Sequence, residues 1–98
     1  MELLSNEAIQ DALNRFPEWE LVDEKWLQRK YSFRKYLHGV AFVHQMAVHA
    51  QERKHHPHIV IDHTAITVSI STLDMGGLTN VDVEMVEHFD NLFEQAEK

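Results

Sequence analysis

The sequence predicts a two-layer α+β domain: a four-stranded antiparallel sheet with three helices on one face, in the order α-β-β-α-β-β-α. Three observations predict it. Apolar residues recur at helical spacing near both ends and along a central segment. Between them lie two pairs of short, alternating, β-branched or aromatic runs. Pro57 and Gly76-Gly77 punctuate the transitions. At 98 residues the chain is expected to form a single domain, 1–98, with one modest core.

Each element has its own signal. Ser5 caps a first helix with Glu7 in its first turn, and Ala8, Ile9, Ala12, Leu13 and Phe16 share a face. Pro17 stops it. Trp19 to Val22 is extended, Asp23-Glu24 turns, and from Trp26 the pattern alternates, with Leu27, Tyr31 and Phe33 on one side. Arg29 interrupts that apolar side. Arg34 to about Lys54 is the long helix, with an inward stripe expected at Leu37, Val40, Ala41, His44, Ala47 and Val48. Phe42, Met46 and His49 widen that stripe, enough to serve either a broad core or a second contact such as a subunit interface.

Pro57 forbids continuation. Ile59-Val60-Ile61 is a β-branched run, Asp62-His63-Thr64 a turn, and Ala65 to Thr72 a second strand with Ile66, Val68 and Ile70 inward. The small polar Thr67, Ser69 and Ser71 face outward, which leaves one side of the sheet open. An edge strand as unguarded as Ile59–Ile61 invites pairing with a second copy. Thr79 with Asp82 three residues on resembles a capping box. Met85, Val86, Phe89, Leu92, Phe93 and Ala96 make the last amphipathic helix.

Composition removes several classes of function. Nine Lys and Arg against sixteen Asp and Glu give a net charge of −7, unlike a nucleic-acid surface. There is no cysteine, hence no disulfide or thiolate chemistry. No apolar run reaches the roughly 20 residues of a membrane span, and the opening residues lack signal-peptide character. A cytoplasmic protein is expected.

Histidine is the compositional outlier, with eight. His55 and His56 stand together where the long helix ends and Pro57 fixes the chain direction. Free imidazole, with a pKa of about 6.5, gives or takes a proton near neutrality. Two at a rigid corner are therefore the candidate acid–base site, against the plainer reading of a surface histidine cluster. A metal site built from His55, His56, His58 and His63 lacks the usual ligand spacing, and no metal is expected. No nucleophile elbow or phosphate loop is present.

The whole chain resembles the pterin-4a-carbinolamine dehydratases. The resemblance lies in Trp19-Glu20-Leu21, Tyr31-Ser32-Phe33 with Tyr36, His55-His56-Pro57, Ile66-Thr67-Val68, and Gly77-Leu78-Thr79 with Asp82. It implies the same α-β-β-α-β-β-α fold, dimers paired through sheet edges, and dimers of dimers joined through helices. It also implies dehydration of a 4a-hydroxytetrahydropterin to a quinonoid dihydropterin, without metal or organic cofactor. The family's mammalian member doubles as a dimerisation cofactor for a homeodomain transcription factor. By this resemblance His55 and His56 are the catalytic pair, and Pro57, His63, Leu73 and Asp82 meet the substrate.

The chain departs from the family pattern at four places. Gln51 stands for an acidic residue, His63 for an aromatic one, Leu73 for a third histidine and Val81 for an arginine. Leucine can neither donate nor accept, so one arm of the acid–base set is missing; either His63 replaces it or His55 and His56 suffice at a reduced rate. A fold retained for binding alone is the alternative.

Overall fold

Ser5 begins the first helix through its hydroxyl, which accepts the Ala8 N–H at 3.1 Å. The computed structural model describes residues 2–98. Helix α1 (Asn6–Arg15) ends at a Phe16 cap, just ahead of Pro17. Strand β1 (Glu20–Val22) turns through Asp23-Glu24 into β2 (Trp26–Ser32). Both turn residues have positive φ, 52° and 62°, the geometry that matches a hairpin's twist. Helix α2 (Tyr36–Arg53) leads to β3 (His58–Asp62) and β4 (Ala65–Ile70); a 3-10 turn at Leu73–Met75 precedes α3 (Asn80–Gln95).

The four strands form one antiparallel sheet in the order β1-β2-β4-β3. The element order is the one the sequence predicts, and β3 lies at an edge, with Val60 and Ile61 substantially exposed. Leu27, Tyr31, Phe33, Ile66, Val68 and Ile70 bury against Phe42, Met46, Met85 and Phe89 of the helices. The opposite sheet face is less open than expected. Ser69 and Ser71 are buried, Ser69 accepting from the Gln28 amide and Ser71 donating to the Lys25 carbonyl.

The expected inward stripe of α2 is corrected by the structure. The helix buries Gly39, Phe42, Met46 and Ala50, whereas Leu37 is 71% and Val48 46% exposed. Both faces are apolar, so spacing alone cannot choose between them. Packing does: Phe42 fits edge-on to Tyr31 at 4.8 Å. Gly39 lets the helix approach Ile66 and Phe33, where a Cβ would already sit 3.4 Å from each.

Arg29, read as an interruption, is a core device. Its guanidinium lies 4.3 Å above the Tyr31 ring and 5.1 Å from that of Phe93. It also pairs with Asp90 at 2.9 Å. The same Asp90 oxygen accepts from Trp19 Nε1 at 3.0 Å and the Tyr31 hydroxyl at 2.6 Å. Burial first, and then that bond, push the Tyr31 hydroxyl well above the usual phenol range.

A second polar contact spans the α2–α3 seam. The His49 and His88 rings stack 3.6 Å apart, and His49 Nε2 is buried without a hydrogen-bond partner among the described residues. Burial, then the neighbouring His88 and Arg53, hold His49 below the ordinary imidazole range.

Two outcomes are expected. Asp90→Ala leaves three donors unsatisfied, and its loss of roughly 2–4 kcal/mol is measurable by urea unfolding. Since folded His49 resists a proton that the unfolded chain binds below about pH 6.5, its contribution is whole above that pH and is lost as pH falls. The urea midpoint drops between pH 7.5 and 5.5, and His49→Gln shrinks that drop.

Candidate active site

The last turn of α2 delivers His55 and His56 to one corner. Lys54 caps the helix in the left-handed conformation, φ 54°, with its N–H on the Ala50 and Gln51 carbonyls. The His55 N–H also returns to Ala50, at 3.0 Å. This closure swings the chain out of the helix and into Pro57 and β3.

The end of β4 and the start of α3 supply the anchor. Asp82 is fully buried at the third position of α3, where it closes the capping box expected from the sequence. Its Oδ2 accepts from the Thr72 hydroxyl at 2.7 Å and the Thr79 N–H at 2.9 Å. The Thr79 hydroxyl, 2.9 Å from that of Thr72, completes the relay. Oδ1 is left for His55, whose Nε2–H donates to it at 2.7 Å. Both oxygens of this buried carboxylate are thus met by donors, as its removal from water demands.

His56 is held more loosely. Its Nε2–H donates to the side-chain amide oxygen of Gln51 at 2.9 Å in an exposed position. The two imidazoles line one open hollow of about 200 Å³ with Lys54, Ser71, Thr72, Leu73 and Asp74. With both Nε2–H groups donated into the protein, each ring has Nδ1 as its free acceptor.

The substrate-contacting residues implied by the resemblance divide. Leu73 borders the hollow, 69% exposed. Asp82 is not among the lining residues and meets the hollow's edge only through its bond to His55. Pro57 is half-buried at the corner. His63 is elsewhere: it sits in the β3–β4 turn, stacked on Tyr36 at 6.2 Å. Tyr36 begins α2 and His55 follows its end, so about 27 Å of helix separates them. Within the chain His63 does not replace the missing imidazole. Among the described residues no cluster of three or more His, Asp or Glu could hold a metal ion.

Lys54, Thr72 and Asp74 were not singled out from the sequence. Thr72 carried a weak signal, ending an alternating strand ten residues before an aspartate; Lys54 carried none, since its position becomes special only through its left-handed backbone.

The family model for pterin 4 alpha carbinolamine dehydratase matches residues 2–92. The chain belongs to that family. A curated relative from Picosynechococcus, named as a candidate pterin-4-alpha-carbinolamine dehydratase, is 38% identical over 89 residues, covering 91% of this chain and 96% of its own. The crystal structure of a transcriptional coactivator/pterin dehydratase from Brucella melitensis shares the fold. It has a TM-score of 0.89 at 23% identity and covers 93% of this chain and 98% of its own. A pterin dehydratase-like protein identified as a RuBisCO assembly factor in the alpha-carboxysome aligns with a TM-score of 0.66 at 19% identity, covering 78% and 89%.

Asp82→Asn tests the anchor. Oδ1 of the new amide stays with Thr79, so its NH₂ faces His55 and makes Nε2 an acceptor. The expected result is a folded protein whose His55 carries its proton on Nδ1, read from ring ¹⁵N shifts.

Proposed function

We propose that the chain, working in the cytoplasm, dehydrates a 4a-hydroxytetrahydropterin to the quinonoid dihydropterin in tetrahydropterin recycling. One observation carries this reading: the adjacent His55 and His56 open onto a single hollow, each already oriented through Nε2–H. That hollow is smaller than the roughly 300–1,000 Å³ of an enclosed ligand site. It suits the reacting edge of a bicyclic ring rather than the whole of it.

The reaction is an elimination. Nδ1 of His55 takes the proton from the ring nitrogen beside the carbinol carbon. The electron pair left behind forms the C=N bond, the C–O bond breaks, and the oxygen leaves as water after gaining a proton. Asp82 holds the His55 ring in the tautomer this needs and stabilises the imidazolium that results. Nδ1 of His56 accepts a second pterin N–H and sets the register of the ring. Pro57 keeps both imidazoles at the corner, and Leu73 gives the ring an apolar edge. His63 has no part in this scheme. The step exchanges protons only, so it calls for no redox cofactor.

In this proposal the chain works as a dimer through the β3 edge, or as a dimer of dimers through the exposed apolar face of α2. The second reading is a non-catalytic pterin-binding or protein-binding module. It is favoured by Leu73 in place of an imidazole and by the fold's occurrence in an assembly factor.

An assay on freshly formed 4a-hydroxytetrahydropterin separates the two. Acceleration above buffer is expected, with losses of about 10²–10⁴ in kcat for His55→Ala and for His56→Ala. No acceleration leaves the binding module; full rate in the double variant removes the site assignment.

A further inference from the structure

As they are held, the two histidine rings and Leu73 give the hollow no side-chain donor for the departing oxygen. Both Nε2–H groups are spent on Asp82 and the Gln51 side-chain oxygen, which leaves neither of them to donate into the hollow. Asp74 lines the hollow as well, and a carboxylate there opposes the negative charge of a leaving hydroxide.

Lys54 is the cationic side chain lining this hollow. Its ammonium has three donors and makes no ion pair among the described residues. Its backbone is unusual too. The cap position requires φ 54°, which a glycine adopts without penalty and a lysine does not. The residue lines the same hollow as the two histidines, at the point where the helix ends.

We propose that Lys54 is a further catalytic residue, donating the proton with which the 4a-hydroxyl departs, and that it fills the arm left open by Leu73. This rests on the dehydratase reading. The bookkeeping of the step is complete: the ring-nitrogen proton passes to His55, the C–O bond breaks toward oxygen, and Lys54 gives that oxygen its proton as water forms. The lysine amine then recovers a proton from solvent as His55 releases its own.

The test compares Lys54→Met, Lys54→Gly and Lys54→Met with Leu73→His, using the same 4a-hydroxytetrahydropterin and thermal unfolding. Lys54→Met is expected to lower kcat by about 10²-fold while KM stays within about threefold. Lys54→Gly, freed of the left-handed constraint, melts higher than the parent yet loses the same turnover, a combination that a structural role for the lysine would not give. Adding Leu73→His to Lys54→Met returns at least about tenfold of the rate. If Lys54→Met and Lys54→Gly keep kcat within about threefold of the parent, the assignment of Lys54 is overturned and the dehydratase reading stands. If the parent itself gives no turnover, both fall.

Discussion

The Asp82 carboxylate is the constraint on which the rest of the site depends. It is fully buried, and a buried carboxylate is tolerated only where its oxygens are met by donors. Those donors come from three separate places: the residues after β4 through Thr72, the cap of α3 through Thr79, and the corner after α2 through His55. One side chain therefore fastens the segment after β4, a helix start and an imidazole ring together. Loosening any of the three exposes an unpaired charge, so the ring's orientation is tied to the integrity of the fold.

The contrast between the two histidines follows from that arrangement. His55 is mostly buried and rests on a charged partner; His56 is exposed and rests on a neutral amide. A charged acceptor holds an imidazole more strongly than an amide does, and an exposed contact is further weakened by water. Adjacent residues of one type therefore reach the hollow with different stiffness and different electrostatic surroundings.

Most of the fold was legible in the sequence because the signals were local. Ser5, the alternation along β2 and β4, Pro57 and Thr79 with Asp82 each act within a few residues, and each marks an element that the structure contains. The buried face of α2 was not legible, since Leu37 and Phe42 belong to rival apolar stripes and only the shape of the sheet decides between them. Arg29 looked out of place for a similar reason: its partner Asp90 is 61 residues away. At the site, His55 and His56 could be named from their chemistry and their corner. The separation of His63 and the nearness of Lys54 are consequences of three-dimensional placement, which no spacing rule encodes.

The hairpin joining β1 to β2 carries a wider implication. Asp23 and Glu24 both adopt left-handed backbone, a conformation costing roughly 1–2 kcal/mol in a residue that has a Cβ. Glycine or asparagine would relieve much of it. The corner thus holds a reserve of stability outside the residues that line the hollow. A lineage that released this reserve could tolerate costly changes around the hollow, and so explore new substrates without losing the fold.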